Sequence, residues 1–376
     1  MTTGGKTIDR DSLDAIDDQI GSEAGERLAA LEAQLRAARP EDDQATRLRR
    51  LVEQTAPRER PNPVPAACSP VWTKPDRLPA RERRARVVTV ASGKGGVGKT
   101  NIAVNLAIAL AARDVRVALL DADLGTANAD VICGVRPTAR LDHVLGPGGL
   151  AWQDGGRVSI RDIAVEGPGG FLLVPGSAGL ARMADLSLIE QRRLLKCLSE
   201  MDSMADVVVV DAAAGVGRSV TGFVEAADLA LIVTTPEPTA LADAYALIKC
   251  VVMQDRREIR CGELPGLSVV VNQAKDPLEA FGVHARLAGV CAKFLGFSPE
   301  MAGFVAQDLR VAEAVRAQCP VFLRSPESAA SRNISELAGV VAQQLGVGAR
   351  QNLQRAPGRG LGGLVRRVLG ISSGPG

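Results

Sequence analysis

The stretch SGKGGVGKT at positions 92–100 constrains this chain more than any other. It follows a run of small β-formers, VVTVA, and opens directly into NIAVNLAIALAA. A strand that ends in a glycine-rich turn and restarts at once as a helix begins a βαβ unit. Gly93, Gly95, Gly96 and Gly98 let the backbone curl until successive N–H groups face one centre. The helix that starts near Lys99 adds the positive end of its dipole. Such a centre takes phosphate. Lys99 is spaced to reach the β- and γ-phosphates of a nucleotide, and the Thr100 hydroxyl to hold Mg2+. Val97 and Asn101 belong to the same phosphate-contacting loop. A chance glycine turn has no reason to carry the GK[ST] ending between a strand and a helix.

Four more apolar runs follow, RVALLD, DVVVVD, LALIVTT and LSVVVN, each bounded by turn or polar residues. Helical patterns such as TALADAYALIKCVVMQ separate several of them, and helices are expected around residues 308–317 and 327–345. Strands alternating with helices imply a mostly parallel, doubly wound α/β sheet covered on both faces. The domain is expected to span 87–346. Three acids end its strands: Asp121 and Asp123 in DADLGTANAD, and Asp211 in DAAAG. Open α/β sheets bind ligands at the carboxyl ends of their strands. One such Asp alone reads as a turn or cap residue. Three in order behind a phosphate loop read as a site that can hold a metal and orient water.

The flanks differ from this domain. Residues 1–55 read as a polar helical arm, with Leu28, Leu31 and Leu35 at helical spacing until Pro40 breaks the pattern. A second short helix begins near Glu41, with Ala45, Leu48, Leu51 and Val52 on one face. Residues 56–86 are proline-rich and read as an extended linker. The tail, 347–376, carries five arginines and no acid. Within it Leu361, Leu364, Val365, Val368 and Leu369 share one helical face and Arg366 and Arg367 another. That pattern suits a short helix lying on an anionic membrane surface. The net charge of +2 argues against a chain whose main work is coating nucleic acid. Seven scattered cysteines without C-x-x-C spacing suit a reducing cytoplasm and speak against an iron–sulfur carrier. Two histidines with no clustered ligands give no basis for a histidine metal site. The opening residues show no apolar signal segment, and no run is long enough to span a bilayer. Membrane contact is therefore expected to be peripheral.

A second lysine, Lys94, follows the first glycine of the loop. The form KGGVGKT resembles the deviant Walker A motif of the MinD/ParA superfamily of P-loop NTPases. The resemblance implies an ATPase that uses Mg2+ and forms a homodimer when ATP is bound, with Lys94 of each copy contacting the other's nucleotide. It further implies Asp123 as the switch residue near the attacking water and Asp121 beside the Mg2+ and lysine network. Asp211 would coordinate Mg2+ through water, and Asn272 and Asp308 would read the base. Two departures stand out: Ala306 where the family usually has proline two before Asp308, and Asp-Ala-Ala-Ala-Gly where Asp-Thr-Gly-Ala-Gly is common.

DADLGTANADVICGV and TTPEPTALADAYALIK are similar to the FlhG (FleN) branch, which regulates flagellar number and placement. DQATRLR at 43–49 fits that branch's N-terminal D-Q-A-x-x-L-R motif. There the motif docks on FlhF, a signal-recognition-type GTPase, and stimulates it, which makes Gln44, Leu48 and Arg49 the expected contacts. The branch also implies attachment of the tail to the inner membrane surface at a cell pole, and leaves a flagellar transcription regulator open as a partner. Two other readings stay open. A MinD-type division-site positioner needs the tail but not the arm. A ParA-type DNA-partition ATPase needs a basic face on its dimer.

Overall fold

The computed structural model describes residues 85–123, 127–141, 143, 159–176, 199–257 and 266–348. Gln44, Leu48 and Arg49 of the arm lie outside them, as do Leu361, Leu364, Val365, Val368 and Leu369 of the tail. The strands are β1 (Arg86–Ser92), β2 (Val117–Ala122), β3 (Val165–Glu166), β4 (Leu172–Val174), β5 (Val207–Ala214), β6 (Leu229–Thr234), β7 (Gly266–Ala274) and β8 (Glu300–Ala306). The helices used below are α1 (Lys99–Ala111), α2 (Ala129–Cys133), α3 (Ile160–Ile163), α4 (Arg218–Ala226), α5 (Pro238–Arg257), α6 (Pro277–Leu295), α7 (Leu309–Arg316), α8 (Val321–Arg324) and α9 (Ala329–Leu345).

The eight strands form one sheet in the order β3-β4-β2-β5-β1-β6-β7-β8. Every pairing is parallel except β3 with β4. The central strands are apolar on both faces because helices cover both. Along β1, Val87 and Ala91 join one core cluster while Val88 and Val90 join the other. β5 and β6 divide in the same way: Val208, Val210, Ala230 and Ile232 face α4, α5 and α6, whereas Val207, Val209, Leu229 and Leu231 face α1 and α9. The sequence patterns anticipated this sheet from the five strongest strands.

Three strands were not legible as apolar runs. β3 and β4 are too short to carry a pattern. β8, EMAGFVA, opens on a glutamate, contains Gly303 and is only partly buried at the sheet's edge. Its residues do reach both core clusters, Met301 and Phe304 on one side and Ala302 and Val305 on the other, but with a neighbouring strand on one side only they stay partly exposed.

Local chemistry sets the helix ends. Asp276 caps α6 by accepting from the Glu279 N–H at 2.8 Å, Pro277 occupies the first turn, and Gly296 closes the helix in the left-handed region. Ser328 caps α9 by accepting from the Ser331 N–H at 3.1 Å, and Gly346 ends it the same way.

Leu119 of β2 is fully buried on the α1 face and lies beside Leu173 of β4 and Val209 of β5. Leu119→Ala should cost about 2–5 kcal/mol, the range for leucines removed from packed cores. Urea unfolding should show a lowered midpoint with unchanged slope. A loss below about 1 kcal/mol would mean that this face is not packed as described.

Candidate nucleotide-binding site

The loop between β1 and α1 sits at the carboxyl edge of the sheet, between β5 and β6. Gly96 and Gly98 adopt φ of 82° and 89°, the left-handed region that a side chain disfavours. A Cβ placed on Gly95 or Gly96 would meet nothing within 4 Å, so the rim of the loop is open. The base of the loop is tight. A Cβ on Gly93 would lie 2.0 Å from the Asp243 carbonyl oxygen of α5, so only glycine lets the loop pass that helix. Gly98 stands at the N-cap of α1, which has no side-chain cap and no acid in its first turn. Its first N–H groups are therefore available to an anion.

Charges converge beneath this rim. Lys99 is buried at 8% exposure in the first turn of α1. Burial pulls its pKa down, while the carboxylates of Asp211 and Asp123 work against that loss. Asp121 and Asp211 are paired residues on adjacent strands β2 and β5, each 1% exposed. Burial pushes the Asp121 carboxyl up to about 7, against the N–H groups of Ala129 and Asp123; nearby Asp123 and Asp130 push it further. Asp211 is raised well above the carboxylate range, first by burial and then by Asp121. Thr100 biases it back toward ionisation without completing hydrogen-bond geometry. Neither Asp211 oxygen has a well-formed partner among the described residues.

The predicted site residues thus fall into groups. The phosphate loop with Lys99, Thr100, Asp121, Asp123 and Asp211 comes together at one edge. The half-buried Asp123 donates its backbone N–H to Asp121 Oδ1 at 3.2 Å, while Asn128 and Ala129 donate to Oδ2, both at 3.0 Å. Asp121 therefore braces the segment that carries Asp123 and the start of α2. Asn101 is half-buried in α1, and its carbonyl accepts from Asn105 Nδ2 at 2.7 Å. Asn272 donates from Nδ2 to the Val97 carbonyl at 2.7 Å. Asp308 is occupied as a double cap: Oδ1 accepts from the Arg310 N–H at 3.0 Å and Oδ2 from the Ala330 N–H at 3.4 Å, at the starts of α7 and α9.

Lys94 points away from its own loop. Its Nζ meets Glu237 Oε2 and Thr239 Oγ1, each at 2.9 Å, with 37% of the lysine side chain still exposed. Glu237, Thr239 and Asp243 were not singled out in the sequence. The signal for Glu237 and Thr239 was a polar PEPT segment directly after the apolar strand LALIVTT, at the edge that ligands use.

The residues fit a magnesium nucleotide. An orphaned buried carboxylate, a hydroxyl beside it and a buried lysine are what a phosphate-bound dication needs nearby. Among the described residues no three His, Cys, Asp or Glu side chains form a metal cage of their own. Mg2+ characteristically fills its shell with substrate phosphates and water instead.

These features define a P-loop nucleotide-binding protein. The sequence pattern of the CobQ/CobB/MinD/ParA nucleotide binding domain matches residues 88–346. The antiactivator FleN of Pseudomonas aeruginosa is 41% identical over 246 residues, covering 65% of this chain and 82% of that protein. The flagellum site-determining protein YlxH of Helicobacter pylori is 30% identical over 285 residues, covering 76% and 90%. The MinC:MinD cell division protein complex of Aquifex aeolicus contains a similar fold, with TM-score 0.54 and 25% identity over 72% of this chain and 99% of that one. The chain belongs to the CobQ/CobB/MinD/ParA nucleotide-binding domain family and is an ATPase of the MinD/ParA type.

Burial raises the Asp121 carboxyl to about 7 and raises Asp211 as well, so without nucleotide this pair favours its neutral form more than exposed carboxylates do. A bound dication favours the ionised forms. Mg·ATP binding should therefore release protons below about pH 7 and tighten as pH rises toward that value. Calorimetry at pH 6.5 in two buffers of different ionisation enthalpy checks this. Identical apparent enthalpies would show the pair already fully ionised before binding.

Proposed function

We propose that this chain is a regulatory ATPase of the FlhG type, one that controls flagellar number and placement. Its ATP state would set whether it stands as a monomer or a dimer. The observation that carries the reading is the 41% identity to the antiactivator FleN across most of that protein's length. YlxH, named for determining the flagellum site, supports the same role.

In this reading the glycine loop and the start of α1 bind the phosphates, and Lys99 neutralises them. Thr100 and Asp211 hold Mg2+, which supplies charge compensation on the phosphates when bound. Asp123 orients water and Asp121 fixes the segment that carries it. Lys94 is the cross-dimer residue. Its salt bridge to Glu237 is solvent-exposed, and such pairs contribute only about 0–1 kcal/mol. Lys94 can therefore exchange that contact for another anion at small cost. Loss of the γ-phosphate would then weaken the interface and return the monomer.

Three partners complete the proposal. The arm, through Gln44, Leu48 and Arg49, stimulates an FlhF-like signal-recognition-type GTPase. The tail, through Leu361, Leu364, Val365, Val368 and Leu369, holds the dimer on anionic membrane. Two weak helices on one dimer bind far better than one on a monomer, which ties membrane residence to ATP. The third is a flagellar transcription regulator, a reading that the likeness to the antiactivator FleN supports. Among the described residues no helix is long and apolar enough to cross a membrane.

Two experiments test the reading. Lys94→Ala should bind Mg·ATP with near-normal affinity yet elute as a monomer in light-scattering chromatography, where wild type with ATP dimerises. A normal ATP-dependent dimer in the variant would sink the cross-interface role. A peptide of residues 1–56 should accelerate GTP hydrolysis by the host's FlhF-like GTPase, and Gln44→Ala should abolish the effect. No acceleration of a competent GTPase would leave a MinD-like switch without that partner.

A further inference from the structure

The loop that cradles phosphate is held from outside by one side chain. Asn272, near the end of β7, donates from Nδ2 to the carbonyl of Val97, the residue between Gly96 and Gly98. Both partners are buried, Asn272 at 8% and Val97 at 4% exposure. A carbonyl accepts only from the nitrogen end of the amide, so chemistry fixes which way the Asn272 side chain is turned. The fit is close: a Cβ on Gly98 would lie 2.3 Å from Nδ2.

The backbone that presents Asn272 is irregular. The pairing of β7 with β8 shifts between Asn272 and Ala274, and the intervening Gln273 takes φ of 58°. A residue with a long side chain rarely holds the left-handed region, and such strain collects where a fold must aim a neighbouring group. The bond to Asn272 engages the Val97 carbonyl with a side chain outside the loop, and a carbonyl held there cannot swing in to repel phosphate.

The family resemblance gives Asn272 the task of reading the base. We infer that Asn272 is also a positioning residue: through one Nδ2 donor it locks the phosphate loop in its binding conformation, a role independent of any contact the rest of the amide makes with the base. The inference rests on the nucleotide-binding reading of the loop. It places one fixed point of the loop 175 residues away in sequence, on a strand beyond β6.

The test uses the full chain as wild type, Asn272→Ala and Asn272→Asp. Binding of Mg·ATP, Mg·GTP and Mg·tripolyphosphate is measured by competition against a fluorescent ATP analogue. Asn272→Ala should weaken all three by a similar factor, roughly tenfold, the scale of one buried hydrogen bond whose acceptor is left unpaired. The loss on tripolyphosphate, which carries no base, is the one that a base contact alone would not produce. Asn272→Asp keeps the side chain's size but sets an acceptor against the carbonyl, so all three should weaken further. A cooperative thermal transition in that variant shows that the domain still folds. A loss confined to ATP, with GTP and tripolyphosphate bound as by wild type, overturns the inference and leaves Asn272 to the base alone. Failure of the wild type itself to bind Mg·ATP would sink the nucleotide reading rather than the loop clamp.

Discussion

The structure depends on charges buried at the carboxyl edge of an otherwise apolar sheet. Lys99, Asp121 and Asp211 sit at 8%, 1% and 1% exposure, and removing charged groups from water is costly unless they are paired. The protein meets this cost unevenly. Asp121 receives three backbone N–H groups, whereas the Asp211 oxygens find no full partner among the described residues. The upward shift of both acids, caused first by burial, expresses the same imbalance. A triphosphate and its dication would supply the missing counter-charges, so the nucleotide-free site is organised around charge that has yet to arrive.

Most of the architecture follows from placing those groups. Parallel strands bring Val90, Asp121 and Asp211 into register, because β5 lies between β1 and β2. Apolar packing on both faces fixes that register, since slipping a strand by one residue would exchange its two faces. The phosphate loop must pass α5 with no side chain at Gly93 and pass Asn272 with none at Gly98. Its glycines therefore answer to two constraints: conformation at the open rim, where Gly96 is left-handed, and clearance at the base.

What the sequence made legible was local or periodic. SGKGGVGKT fixes strand, turn, helix and ligand within a few residues, and the acids at 121, 123 and 211 are readable as strand ends. What it hid was long-range. That Lys94 rests on Glu237 and Thr239 requires β6 to end beside β1, a fact of strand order rather than of pattern. Asp308 matches a base-reading position, and the pattern did not show that its two oxygens also join α7 to α9, as an aspartate that precedes a helix satisfies free N–H groups. β8 escaped notice because its glutamate, its glycine and its partly exposed edge position break the continuous apolar run that marks a central strand.

These long-range contacts share a geometry. The loop is gripped from one side by α5, through the Asp243 carbonyl at Gly93 and the Glu237–Thr239 clasp on Lys94. It is gripped again by β7 through Asn272. The two grips differ in kind. The contact at Asn272 is buried and leaves a carbonyl unpaired if broken, so it behaves as a fixed point. The clasp on Lys94 is exposed, screened by water and nearly neutral in energy, so it can open without disturbing the loop beneath it. A switch needs both: a cradle that does not change shape when phosphate is present or absent, and one charged arm free to change partners. The MinD/ParA loop of this chain meets both needs with side chains drawn from two strand ends on the same flank of β1.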